Sequence, residues 1–238
     1  MAERSSIFDM IGPVMIGPSS SHTAAVVRIG RVAHRILGGT PSEAVITFYN
    51  SFSRTYEGHG SDRAIAGGLM GYATDDARIK ESLQIAEKEG MQLTFKAVHN
   101  ASHLHPNSVR LQLSTGTHAA QVLGISRGGG LISIVEIDGF NCHFNGQSDT
   151  LVFTAQDVNG SVAFLTSVIA NEDCNIATMT VARSARNDIA KLVMELDSPI
   201  RPLTLDYLRS VYWVNEVIYL PKEHPEEEEK LATEEHKA

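Results

Sequence analysis

The stretch Gly17-Pro18-Ser19-Ser20-Ser21-His22-Thr23 constrains this chain more than any other. Pro18 fixes φ and discourages a helix before it, the serines offer N-cap hydroxyls, and an apolar-periodic run starts at Ala24. The pattern therefore predicts a helix that begins within these residues. The head of that helix would gather unpaired backbone amides, the positive end of the helix dipole, several hydroxyls and one imidazole in a small volume. Two readings fit. One is a well-capped surface helix with the remaining hydroxyls in water; the other is a site for a carboxylate or phosphate. A cap needs one hydroxyl, and the redundancy points towards a ligand.

At 238 residues and 42% hydrophobic composition the chain can bury a proper core, as one large domain or two ordinary ones. The net charge of -8 comes partly from an acidic run after Pro221, and nothing basic and clustered resembles a nucleic-acid footprint. The first residues lack an apolar leader and no apolar run is long enough to span a bilayer, so the expectation is a cytoplasmic protein with neither membrane nor nucleic acid as a partner. Cys142 and Cys174 stand far apart and outside any Cys-x-x-Cys. They make neither a disulfide framework nor a metal knuckle, and they cannot by themselves hold an iron-sulfur cluster.

After the serine run, Ala25, Ile29, Val32, Ala33 and Ile36 form one helical stripe, and Arg28, Arg31 and Arg35 form a second, read as a solvated face or the edge of a protein contact. Gly38-Gly39 should stop the helix. Residues 43–49 read as a strand by their β-branched and aromatic content. A second helix opens after Gly58-His59-Gly60, with Ser61 or Asp62 expected as its cap. His59 between two glycines is poorly suited to a core and open to a ligand. A third helix is expected over 76–89 and a strand over 91–98.

Residues 99–107 hold His99, His103 and His105. A zinc site is the tempting reading, yet the segment has no helical His-x-x-x-His spacing and no acidic residue, and Pro106-Asn107 marks a turn. A loop that brings one histidine to a shared pocket fits better. Strands follow over 109–114, 118–125 and 131–137, with Gly128-Gly129-Gly130 as a hairpin turn, and 139–150 is expected to close this domain and run into a linker. From Leu151 the order becomes strand, helix, strand, strand, helix, strand, the ferredoxin-like βαββαβ layout. The fold class is thus α+β: a mixed α/β substrate- or anion-binding domain over 1–147, a ferredoxin-like domain over 150–221, and an acidic tail over 222–238 expected to be disordered.

The last domain resembles an ACT domain, a small-molecule-sensing module. Asp157 and Gly160 match its Asp-x-x-Gly turn, with Asn159 where a proline is common, and Asn175 matches the polar residue that opens its second strand. Resemblance implies an amino-acid effector bound by Asp157, Asn159, Gly160 and Asn175, and pairing of two copies. The N-terminal part resembles the beta subunit of iron-sulfur-dependent L-serine dehydratases in Gly-Pro-Ser-Ser-Ser-His-Thr (17–23), Asn-Ser-Phe (50–52), Gly-His-Gly-Ser-Asp (58–62), His-Pro-Asn (105–107) and the triple glycine. That resemblance implies a lyase converting L-serine to pyruvate and ammonia, with a [4Fe-4S] cluster held by a separate alpha subunit. It implies a substrate site at Ser19, Ser20, Ser21, His22, Thr23, Asn50, Ser51 and Asn107. Proton transfer would fall to His59 first and His105 second, because a histidine can act as base near neutral pH. The same N-terminal architecture also resembles an anion-binding regulatory domain of phosphoglycerate dehydrogenases, which keeps open a non-catalytic amino-acid sensor.

Overall fold

A computed structural model describes residues 14–222; the expectation of an acidic tail over 222–238 falls outside the described residues from 223 on, as does the whole segment before Val14. The chain divides into two units after Gly139.

In the first unit, Ser20–Ala24 forms one π-helical turn that leads directly into helix α1 (Ala25–Leu37). Ala25, Ile29, Val32, Ala33 and Ile36 are buried, as the period of their spacing requires. Gly38 ends the helix in the left-handed conformation, its N–H bonded to the carbonyls of His34 and Arg35. Strand β1 (Glu43–Tyr49) is followed by the short helix α2 (Asn50–Thr55) and by α3 (Ser61–Leu69). The expected third helix is split into a 3-10 segment, Ala77–Glu81, and α4 (Ser82–Lys88). Strands β2 (Gln92–Val98), β3 (Ser108–Ser114), β4 (Ala119–Gly128) and β5 (Leu131–Ile137) complete the unit. The sheet order is β2-β1-β3-β4-β5, with β2 parallel to β1 and the other pairs antiparallel. Helix α1 lies on β4 so closely that a β-carbon at Gly124 would stand 2.6 Å from Ile29 Cγ2.

The second unit opens with β6 (Phe140–Phe144), within the stretch expected to close the first domain and run into a linker; Cys142 and Phe144 are buried by the alternation that makes a strand. Then come β7 (Asp149–Gln156), α5 (Ser161–Ala170), β8 (Ile176–Arg183), β9 (Ile189–Leu196), α6 (Pro202–Arg209) and β10 (Val214–Leu220). The sheet order β10-β7-β9-β8, antiparallel at each pair, is the ferredoxin-like arrangement. Its core gathers Leu151, Phe153, Leu165, Ile169, Leu192, Met194, Leu208 and Trp213. The two helices are clamped where α6 begins: Arg201 binds the Glu172 carboxylate through Nε and Nη2 at 2.7 and 2.8 Å, and this pair, with the Thr204 hydroxyl, holds the Glu172 carboxyl down at about 2.

Candidate functional site

At the head of α1, Ser19 is the cap: its backbone is extended and its hydroxyl accepts the His22 N–H at 3.2 Å. The π turn bonds the Ala25 N–H to the Ser20 carbonyl, a wider ring than a regular helix makes. Thr23 is buried and donates its hydroxyl to the His59 carbonyl at 3.1 Å. In return the wholly buried Ser61 donates its hydroxyl to the His22 carbonyl at 2.6 Å. Ser61 therefore does not cap α3. That position belongs to Gly60, whose φ of 66° favours glycine, and no side chain caps the helix. Among the described residues, the Asp62 side chain accepts the N–H of its neighbour Arg63. Ser20 and Ser21 stay half-buried, and among the described residues their hydroxyls bond to nothing. One cap is filled and two hydroxyls remain, beside the amides that open the helix.

The two stitches hold the rings of His22 and His59 against each other, with centroids 4.7 Å apart and planes 28° from parallel. Phe52 also packs against His22, with ring centroids 5.0 Å apart and planes tilted by 55°. His22 Nδ1 lies 3.3 Å from the Ser19 hydroxyl, while its Nε2 is buried and has no hydrogen-bond partner among the described residues. A buried nitrogen left unpaired costs about 1–3 kcal/mol. Burial, and secondarily the nearby His59, lower the His22 pKa below the ordinary 6.5. His59 Nδ1 sits 3.1 Å from the Thr55 carbonyl, an oxygen that can only accept, so Nδ1 carries the proton and the neutral ring's lone pair is on Nε2.

Helix α2 is the bracket between this pair and the 99–107 loop. Residues 50–55 show no periodicity that would announce a helix, and Asn50 enters it with φ at 50°. Ser51 and Phe52 donate their amides to the Pro106 carbonyl at 2.9 and 3.4 Å. Ser53 donates to the Asn50 carbonyl at 2.7 Å and meets His99 Nδ1 at 2.9 Å. Asn107 donates its amide to His105 Nδ1 at 3.1 Å, so the neutral His105 ring carries its proton on Nε2. Burial, and next the Arg127 charge, lower the His105 pKa. The Asn107 carbonyl accepts the Ser126 N–H at 3.0 Å, and Arg28 reaches from α1 to the Gly130 carbonyl at 2.9 Å. Arg28 is thus half-buried and tied to the triple-glycine turn, not part of a solvated face.

Of the residues singled out from the sequence, Ser19, His22, Thr23 and His59 meet directly. Asn50, Ser51, His105 and Asn107 meet around the start of α2, with the Ser51 side chain exposed and the Asn50 carboxamide spent on the loop. The sequence assigns no site role to Phe52, quoted only within Asn-Ser-Phe, to Ser53, to Ser61, read as a cap, or to Arg28, read as part of the arginine stripe. The signals for them were the Asn-Ser-Phe motif for Phe52 and, for Ser61, its place two residues after His59. In the second unit Gly160 adopts the left-handed conformation ahead of α5, and Asn159 is exposed. The Asn187 amide and the Arg183 guanidinium, both 3.1 Å from Asp157 Oδ2, lower the Asp157 pKa. Strands β7 and β8 both run antiparallel to β9, so Asp157, after β7, and Asn175, before β8, stand at opposite ends of the sheet. A single copy does not bring them together.

Residues 6–136 match the family model for the serine dehydratase beta chain. The chain belongs to the serine dehydratase beta chain family. Two relatives carry matching names: the probable L-serine dehydratase, beta chain, of Bacillus subtilis (strain 168) is 42% identical over 203 residues, 85% of this chain and 92% of that one. The L-serine dehydratase, beta chain, of Peptoniphilus asaccharolyticus is 34% identical over 196 residues, 82% and 88% of the two chains. Among solved structures, the ACT domain from GTP pyrophosphokinase of Chlorobium tepidum covers 30% of this beta chain and 95% of its own length at 25% identity, with a TM-score of 0.26. A solution structure of that domain gives 29% identity and a TM-score of 0.25.

Cys142 and Cys174 are both buried and neither is in a disulfide. Among the described residues no three of His, Cys, Asp and Glu converge as a metal shell. No helix among them is long and apolar enough to cross a membrane.

Proposed function

We propose that this chain is the beta subunit of an L-serine dehydratase, a lyase assembled with an alpha subunit that carries the [4Fe-4S] cluster. L-serine loses the elements of water to give aminoacrylate, which water then converts to pyruvate and ammonia. The observation that carries the reading is the lone pair on His59 Nε2, aimed by the Thr55 carbonyl and stacked on His22 beside the serine-rich head of α1. The amides and spare hydroxyls of Ser20 and Ser21 receive the substrate carboxylate, with Ser19, His22 and Thr23 fixing the turn that presents them. His59 Nε2 takes the α-proton. His105, with its proton on Nε2, acts as a hydrogen-bond donor towards the substrate. In the second unit, Asp157, Asn159 and Gly160 of one copy and Asn175 of another complete an amino-acid effector site in a dimer of ferredoxin-like domains.

The test is anaerobic co-expression with the alpha subunit and a pyruvate assay from L-serine for each chain alone and for the pair. Activity only in the pair, with the brown absorbance of the cluster following the partner, is expected. An inactive pair with an intact cluster overturns the catalytic reading in favour of an amino-acid sensor.

A further inference from the structure

We infer that Asn50 is a positioning residue that holds the His105 loop in register with α2, and not a group that binds substrate. The inference rests on the proposed active site and deepens it. The Asn50 carboxamide is consumed within the chain. Its Oδ1 accepts the Ala101 N–H at 2.8 Å, and the two hydrogens of Nδ2 go to the carbonyls of Ala101 at 3.0 Å and Leu104 at 3.2 Å. The His105 carbonyl lies a further step out, at 3.5 Å. No donor is left for a ligand.

A second set of contacts carries the same assignment independently. The loop is sewn to the first turn of α2 at both its ends, by His99 on Ser53 and by the Pro106 carbonyl on the Ser51 and Phe52 amides. Asn50 grips the middle. It does so from a left-handed backbone conformation, φ 50°, which asparagine tolerates better than most side chains and which turns β1 into α2. The same helix holds the histidine pair, through the Phe52 ring on His22 and, at its last residue, the Thr55 carbonyl on His59. Asn50 thereby fixes where His105 stands relative to a helix whose far end aims His59. Displacing a catalytic group by about 1 Å costs about a hundredfold in rate.

The test uses Asn50→Gly, which keeps the backbone conformation and removes all three bonds, and Asn50→Asp, which keeps the acceptor for Ala101 and loses both donors. Hydrogen exchange of the full chain is followed peptide by peptide, and kinetics are measured with the alpha subunit. Expected for Asn50→Gly is exchange in 99–107 faster by about tenfold or more with α1 and the sheet unchanged. In the same variant kcat should fall about ten- to a hundredfold while KM moves less than about threefold. Asn50→Asp should give the same pattern more weakly. Unchanged exchange in 99–107, or a raised KM with kcat preserved, overturns the assignment and makes Asn50 a substrate ligand. If the wild-type pair makes no pyruvate, the catalytic reading falls, while loop exchange still decides what Asn50 does.

Discussion

Gly30 of α1 and Gly68 of α3 approach until a β-carbon built on either would lie 2.9 Å from the α-carbon of the other. At Gly68 that carbon would also stand 2.3 Å from the Val27 carbonyl oxygen, which is backbone and cannot swing away. The close crossing keeps the head of α1 beside the start of α3, where Ser61 and Thr23 make their exchange of hydrogen bonds. Gly68→Ala is expected to destabilise the chain by about 2–3 kcal/mol, the upper range for overpacking. Thermal unfolding should fall by about 4–10 °C; an unchanged midpoint would show that the helices can part without cost.

His59→Ala should lower turnover with the alpha subunit at least about a hundredfold, as loss of a general base does. His105→Ala should lower kcat/KM by about ten- to a hundredfold through loss of a donor. Steady-state kinetics of the paired chains separate the two roles. Retention of full turnover by His59→Ala assigns the proton to another group.

Stability should depend on pH through His22 and His105. Folding lowers both pKa values, so below the ordinary 6.5 the unfolded chain binds protons that the folded one refuses. The stabilisation is complete above about 6.5 and is lost as pH falls through the lower folded values. Melting curves of the wild type at about pH 7.5 and about pH 5.5 should differ, and His22→Gln should narrow the difference. An equal gap in both proteins removes His22 as a contributor.

Asp149, only 8% exposed, accepts the hydroxyl of Tyr219 across β7 and β10. Asp149→Ala leaves that hydroxyl without its charged acceptor, at an expected cost of about 1.5–3 kcal/mol. Urea unfolding should report the loss as a lower midpoint with the slope unchanged.

Much of this architecture is legible in the residues. The stripe through α1 repeats at 3.6 residues and ends on Gly38, and the alternation of strands and helices after β6 leaves little choice but the ferredoxin-like layout. The serine-rich turn and His59 stand out because hydroxyls are redundant at 19–23 and glycines flank the imidazole. What the sequence hides is mutual. Asn50 grips residues 51 and 54 positions away, Ser53 reaches His99 across 46, and Ser61 bonds His22 across 39. No local pattern announces such pairs, so Ser61 reads as a cap, and Asn50 enters through resemblance as a substrate-binding residue rather than as a grip on its own loop. Helix α2 is too short to have a period, and β6 is a strand of five residues in a stretch rich in glycine and asparagine.

The anchoring of His59 and of His105 differs in what protonation does to it. His59 gives its Nδ1 hydrogen to a backbone carbonyl, and that bond survives, strengthened, when Nε2 gains a proton. That anchor asks for no rotation of the ring, whichever state Nε2 is in. His105 receives the Asn107 amide on Nδ1, and a proton arriving there ejects that amide. One imidazole is a hinge-free carrier; the other, if charged at that nitrogen, unlatches its own loop.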